Sequence, residues 1–544
     1  MSDPSRGDRR GETPNPPVIA VVGGGPAGLV AALRLTQRLP DASVVLLERQ
    51  ARLGGKIVTE RIDGFVLEGG PEALVVAKPA AGAIVRELGL EAAMTSPNPA
   101  TAGTSVRIGG RLRPLPEGMT GLLPRRFLPI ARSPIVSLPG KLRMALEPVL
   151  PARRDETDET VAAFFSRRIG RHAYERLVAP LVESIWSGDG EKLSLQAAFP
   201  QLRQAEREHG SLTRAALAAN RAAGSAPAGP GLAAPAGGLG DLVTALEERS
   251  RAAGVRIETG AAVEAISRRG HGWTIAVADG DPVRADGVVL AVSALVAARL
   301  VAGFDPALAQ PLAAIPHAST ATVTLAVREA DLAKPLRGHG YVSRRQPGMP
   351  ATAGTWVSRK WTGRAPDGFA LVRLSLGNLD RATLDSAPDA DLVALARTEL
   401  RRVAGITAEP VLARVFRWPD ATPQATLGHL DRVAAIEARR RRHPALALAS
   451  AGLAGSGLAD ALAAGDRAAG LVADALEATG SAAARPATEA QPSPPLALRD
   501  VRRPNAPDGS WSGANGAAPA GDDPNAADPA ADHRQPVGTS AGAG

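Results

Sequence analysis

The chain has 544 residues, 44% of them hydrophobic and 22% charged, a globular composition on a length that exceeds one ordinary domain. It contains no cysteine, which excludes disulfides, thiolate zinc sites, iron–sulfur clusters and dithiol relays, so any electron transfer needs a bound cofactor. Eight Phe, six Trp and two Tyr are too few for a nucleic-acid stacking platform, and no long Lys/Arg block points to DNA. The formal charge is +8, and the segment from Ala478 to Gly544 holds five basic and seven acidic residues. The body is therefore the basic part. Its excess reads as arginine spread over solvated faces, compatible with an acidic substrate or a membrane surface.

Residues 1–17 are polar and Pro-rich and lack the apolar core of a secretory signal, so a loose leader on a cytoplasmic protein is expected. Residues 18–22, Val-Ile-Ala-Val-Val, suit a buried parallel strand. They run into Gly23-Gly24-Gly25-Pro26-Ala27-Gly28 and then a helical pattern with Leu29, Leu33 and Leu35. Gly23 permits a tight turn, Gly25 lets the backbone approach a pyrophosphate, and Gly28 lets the helix pack on the strand. The helix N-terminus offers N–H groups and the positive end of its dipole to phosphates. A second strand, 43–47, ends in Glu48, twenty residues past Gly28, where an acid can accept hydrogen bonds from a ribose diol. These parts in this order predict a dinucleotide site.

Glu48, Arg49 and Arg52 lead into Gly54-Gly55-Lys56, and Gly70-Pro71 follows. Two basic side chains, Arg52 and Lys56, beside a Gly-Gly turn suit a second phosphate clamp. Residues 94–230 read as largely helical. Residues 231–294 return to a strand–helix–strand texture, and 295–426 carry strand-like runs such as 321–327 and 369–376. Residues 427–477 resume the first texture: a short strand, then Gly452 and Gly455-Ser456-Gly457-Leu458-Ala459-Asp460, then a helix to about Leu476. Small residues there let a helix N-terminus approach a flat ring and stabilise negative charge at one edge of a reduced flavin. After residue 478 the Ala/Pro/Gly/Asp-rich tail cannot bury enough apolar surface to offset ordering entropy, and disorder is expected. No run reaches the length of a membrane span.

The expected architecture is α/β. A Rossmann-type FAD-binding domain is assembled from 18–93, 231–294 and 427–477. A β-rich substrate domain (295–426) and a helical, membrane-side subdomain (94–230) are inserted into it.

The glycine motif, Glu48 and Arg52-x-Gly54-Gly55-Lys56 resemble the flavin amine oxidase superfamily. Asp63-Gly64-Phe65, Glu68-x-Gly70-Pro71-Glu72, Lys78-Pro79, Phe199-Pro200-Gln201-Leu202, Gly428-His429-Leu430 and the Gly452 to Asp460 patch are similar, in order, to the oxygen-dependent protoporphyrinogen/coproporphyrinogen III oxidases of haem biosynthesis. That resemblance implies non-covalent FAD, held by the glycines, Glu48, Arg52, Gly55 and Lys56. Val263 matches a position on the adenine side, and Trp418 with Leu458, Ala459 and Asp460 match positions near the flavin. It implies oxidation of a porphyrinogen by six electrons in three steps, with flavin N5 as hydride acceptor, O2 reduced to H2O2 and no protein acid or base. Lys78 matches a substrate-facing lysine, and Arg107, Arg111 and Arg113 are further candidates for a rim that pairs with the carboxylates of a tetrapyrrole.

Peripheral membrane contact and hand-over to the next haem-pathway enzyme are further implications. The sequence departs from the family pattern at Gly69, Thr104 and Ala425. An amine oxidase, a carotenoid desaturase or a non-enzymatic flavin-fold escort of an apolar ligand are the alternatives. Amine oxidases usually place an aromatic pair before the flavin, where this chain offers Trp418.

Overall fold

The structure is a computed structural model that describes residues 16–116, 119–120, 122–124, 127–223, 231–346 and 348–478. The expected leader and tail lie outside these residues, except Pro16, Pro17 and Ala478.

Five short apolar strands form a parallel sheet: β1 (Val18–Val22), β2 (Ser43–Glu48), β3 (Arg256–Thr259), β4 (Gly287–Leu290) and β5 (Leu446–Leu448). The spatial order is β3-β2-β1-β4-β5, with Val18 beside Ser43, Ile19 beside Gly287 and Val288 beside Leu446. The middle strands carry apolar side chains on both faces because both faces are covered. Helix α1 (Pro26–Arg38) and helix α2 (Leu458–Ala478) lie on one face. A three-stranded antiparallel meander (Val263–Arg269, Gly272–Val277, Val283–Ala285) and two helices (Ala294–Val301, Pro306–Ala313) lie on the other. Strands from three distant parts of the chain thus make one nucleotide-type sheet.

The second sheet has seven strands, in the order Leu412–Pro423, His317–Arg328, Phe369–Leu379, Ala351–Trp356, Gly340–Val342, Thr104–Ile108, Arg111–Pro114. The last two correct the expectation that 94–230 is largely helical, because this hairpin completes a sheet otherwise built from 295–426. Its turn is Gly109-Gly110, with φ of 57° and 74°, a conformation that needs positive φ at both residues and makes a tight two-residue hairpin. The α-helices of this segment begin at Phe127, after one 3-10 turn at Pro99–Thr101. They bury a core that includes Phe164, Phe165, Tyr174, Leu177, Trp186 and Phe199.

Arginine departs most from the sequence reading. Arg107, Arg168, Arg203, Arg364 and Arg440 are buried, so part of the basic excess is internal. Arg168 pairs with Glu147 and lies 3.5 Å from Glu206, and Arg203 bonds Glu206 at 2.7 Å. These charges knit the helical subdomain, and breaking one such pair strands its partner in a dry interior.

Helices α1 and α2 touch through small residues. A Cβ added at Gly465 would lie 2.2 Å from the Ala27 carbonyl oxygen, so the two backbones must separate to admit it. Gly465→Ala is expected to lower unfolding free energy by about 1–3 kcal/mol, the usual cost of overpacking. Chemical denaturation of the variant beside the parent protein measures this.

Candidate flavin site

β1 ends at Val22, and the chain turns at Gly23, whose φ is +104°. Gly23 N–H donates to Leu47 O at 2.8 Å. A Cβ at Gly28 would sit 1.8 Å from Gly23 O, so the helix packs on the turn through bare backbone. α1 begins after Gly25 with Pro26 at its first position and no side-chain cap. Its first-turn N–H groups have no intrahelical acceptor and face an anion with the positive end of the dipole.

Glu48 closes β2 and is 7% exposed. Its Oε2 accepts Gly24 N–H at 2.7 Å and its Oε1 accepts Gln50 N–H at 2.9 Å. Each oxygen keeps a lone pair for a ribose hydroxyl. β3 runs beside this residue, Thr259 opposite Glu48, and Ala261 N–H donates to Glu48 O at 2.9 Å. Val263, half-buried two residues later, therefore stands near Glu48.

Arg52 shapes the Gly-Gly turn. It donates to Leu53 O (3.1 Å), Ile57 O (3.2 Å) and Gly55 O (2.8 Å), leaving two of its five donors for a phosphate. Gly54 and Gly55 have positive φ, and Gly55 lies against Gly25, whose Cα would be 3.2 Å from an added Cβ. This glycine-on-glycine contact is a cradle that side chains would fill, and it fits a dinucleotide pyrophosphate. Arg49 is exposed and lines a cleft of about 710 Å³ together with Ser293, Arg299, Arg381 and Asp420.

Lys56 donates to Ala421 O, joining the nucleotide domain to the second sheet. Its side chain stays solvent-exposed, while the protein packed around the ammonium desolvates it and pushes it down to about 8. The loop from Gly69 to Pro71 forms the facing wall. Trp418 Nε1–H donates to Gly69 O at 2.8 Å, Arg373 donates to Gly70 O, and a Cβ on Gly70 would lie 1.9 Å from Lys56 O. Burial alone would raise the Glu72 carboxyl, but Lys360 and Arg373 together hold it below the usual carboxylate range. At Gly69, where the family pattern has arginine, an added Cβ would meet the Phe416 ring at 2.5 Å. Phe416 has taken that space.

The third wall is the loop into α2. Gly452 and Gly455 have positive φ, and His429 Nε2 meets Gly452 O at 2.7 Å. Asp460 Oδ2 accepts Gly457 N–H at 3.2 Å, and its Oδ1 takes Lys78 Nζ at 2.5 Å. Leu458 is half-buried and Ala459 buried.

Of the four proposed substrate-facing cations, Lys78 thus adjoins this site. Arg107 does not: it is 6% exposed, pairs with Glu399 at 3.2 Å and donates to Arg344 O at 2.7 Å. It faces the layer under helix Asp389–Ala404 because its strand is covered on both faces. Arg111 and Arg113 sit on one edge strand of the seven-stranded sheet, and Trp418 sits on the other. Sequence reading missed Arg373 and His317. His317 Nδ1 meets Ile315 O at 2.9 Å, and burial, helped by nearby Lys56, lowers its ring below the ordinary value. Neither residue lies in a motif; the strand register brings them to the crevice.

The flavin containing amine oxidoreductase family matches residues 26–473. A coproporphyrinogen III oxidase from Propionibacterium freudenreichii is 35% identical, over 85% of this chain and 92% of its own. The Bacillus subtilis coproporphyrinogen III oxidase is 31% identical over 84% and 97%. A solved structure from Exiguobacterium sp. 255-15, provisionally named a protoporphyrinogen oxidase, superposes with a TM-score of 0.74 at 28% identity, covering 85% of this chain and 99% of that one. Cyclohexylamine oxidase from Brevibacterium oxydans shares the fold, with a TM-score of 0.59 at 17% identity over 85% and 100%.

Two outcomes test the assignment of residues to the cofactor. Glu48→Ala should weaken FAD retention, read as flavin content and as affinity of the apoprotein. Lys56 loses its proton above about 8, and a bound diphosphate favours the charged form, so FAD affinity should fall as pH rises through that value. In Lys56→Met this pH-dependent fall should vanish; an unchanged profile would separate Lys56 from the cofactor. With its flavin cradle assembled from three chain segments, this chain belongs to the flavin containing amine oxidoreductase family.

Proposed function

We propose that this chain oxidises a porphyrinogen to the porphyrin in haem biosynthesis, using FAD and O2 and releasing H2O2, with coproporphyrinogen III preferred over protoporphyrinogen IX. The observation that carries this reading is similarity at 30–35% identity, over nearly the whole length of the relatives, to coproporphyrinogen III oxidases of several genera. A plant protoporphyrinogen oxidase matches at 28%. The likeness to amine oxidases, at 15–17% identity, supports the fold alone.

When bound, FAD supplies the two-electron acceptor. The chain's residues bind and orient. The first-turn N–H groups of α1, Arg52 and Lys56 face the pyrophosphate, and Glu48 faces the ribose. Trp418 and the Gly69 to Pro71 loop give a wall that excludes water. Lys78, aimed by Asp460, takes a substrate carboxylate as a charge-assisted partner. The porphyrin would then pass to the next enzyme of the pathway.

We place the protein in the cytoplasm with peripheral membrane contact. Among the described residues no helix is long and apolar enough to cross a membrane. Helix Leu138–Ala145 and its flank nonetheless expose Leu138, Leu142 and Leu146 at 69%, 62% and 53%. Four-residue spacing puts them on one stripe, suited to the boundary between lipid headgroups and acyl chains.

The decisive assay is aerobic incubation with each porphyrinogen in parallel, following porphyrin fluorescence and peroxide. Three H2O2 per porphyrin and faster turnover of coproporphyrinogen III are expected; no flavin-dependent gain over autoxidation with either substrate would refute the reading. Lys78→Ala should raise KM for coproporphyrinogen III by about tenfold, the worth of one charge-assisted bond, with kcat less affected.

A further inference from the structure

The helical subdomain contains an apolar cavity of about 280 Å³, nearly twice the roughly 150 Å³ that suffices elsewhere to hold benzene. Its floor is Phe165, Leu177 and Val178, each at most 2% exposed. Ala131, Lys141 and Ala145 stand at its mouth, the two alanines exposed and the lysine half-buried.

The wall offers water little to bond. Glu147, its one carboxylate, is saturated: Oε1 accepts from Arg168 Nε (2.8 Å) and Leu212 N–H (2.9 Å), and Oε2 from Ser211 Oγ (2.6 Å) and Thr213 N–H (3.0 Å). An apolar pocket this large, opening to solvent, offers an apolar chain a surface on which water has few partners to lose. The Lys141 backbone N–H donates to Ser137 O at 2.9 Å, and its ammonium has no hydrogen-bond or ion-pair partner among the described residues. The helix that presents Lys141, Met144 and Ala145 to the cavity also carries the exposed Leu138 and Leu142, so the mouth opens beside an apolar surface.

We propose that this cavity binds the acyl chain of an anionic amphiphile, its chain on the Phe165, Leu177 and Val178 floor and its head group on Lys141. Carboxylate and phosphate heads both satisfy a lysine ammonium, which acts as a point charge. The occupant is therefore either a free fatty carboxylate or a phospholipid of the membrane surface. The site lies apart from the flavin crevice and does not depend on the redox reading.

The test uses delipidated, FAD-loaded protein titrated with dodecanoate, with dodecylammonium, and with vesicles of phosphatidylglycerol. One saturable dodecanoate site is expected, with dodecylammonium binding at least about tenfold more weakly. Val178→Trp, which fills the floor, should abolish binding at unchanged flavin content. Lys141→Glu, on the rim, should weaken dodecanoate by about tenfold at unchanged flavin content and keeps the test valid if the tryptophan variant misfolds. Vesicle binding without dodecanoate binding, lost in both variants, identifies a bilayer lipid as occupant and upholds the site. No saturable binding of either probe, equal affinity for the two dodecyl compounds, or binding unchanged in Lys141→Glu would overturn it. Porphyrinogen oxidation measured on the same samples reports on the flavin site separately.

Discussion

The site depends on one close approach. Gly70 lies so near the Lys56 carbonyl that a single methyl group would be 1.9 Å from it. From the other side Trp418 and Arg373 hold the Gly69 and Gly70 carbonyls, and Lys56 reaches across to Ala421 O. The nucleotide sheet and the seven-stranded sheet are joined here, by backbone groups that tolerate no side chain between them. Glu68 anchors the start of the loop through Thr59, Leu239 N–H and Arg364, and Glu72 anchors its end through Lys360 and Arg373. Segments more than 300 residues apart in sequence thus line one crevice.

The same economy of side chains runs through the nucleotide half. Gly28 against Gly23, Gly55 against Gly25 and Gly465 against Ala27 are all contacts of bare backbone. The last of these packs the first turn of α1 against the third turn of α2, and the first two leave the positive end of the α1 dipole open to a diphosphate. Polar side chains hold the loops: His429 holds the Gly452 loop, Arg52 the Gly54 turn and Asp460 the approach to α2.

The nucleotide motif was legible in the sequence because its chemistry is local. A turn glycine, an approach glycine and an acid at the end of the next strand are fixed by chain geometry over some thirty residues. The joint was less legible. Arg373 and His317 reach the crevice through strand register, which no short motif encodes. The Gly109-Gly110 hairpin carries a local turn signal, but the Pro-punctuated sequence around it reads as helical. Arg107 shows why a rim of cations cannot be assigned from charge: on a strand covered on both faces it turns inward to Glu399. The arginine excess divides the same way, part of it internal ion pairs of the helical subdomain. The absence of cysteine keeps its first meaning and gains another: a cysteinyl–flavin bond is excluded.

The central claim is that this crevice delivers electrons from a porphyrinogen to the bound flavin. Its most direct test is anaerobic mixing of the FAD-loaded protein with coproporphyrinogen III in a single turnover, following the absorbance of oxidised flavin. The account predicts bleaching at a rate that saturates with porphyrinogen and recovery of the oxidised spectrum when air is admitted. Flavin that stays oxidised under excess porphyrinogen, while an amine reduces it, would contradict the account.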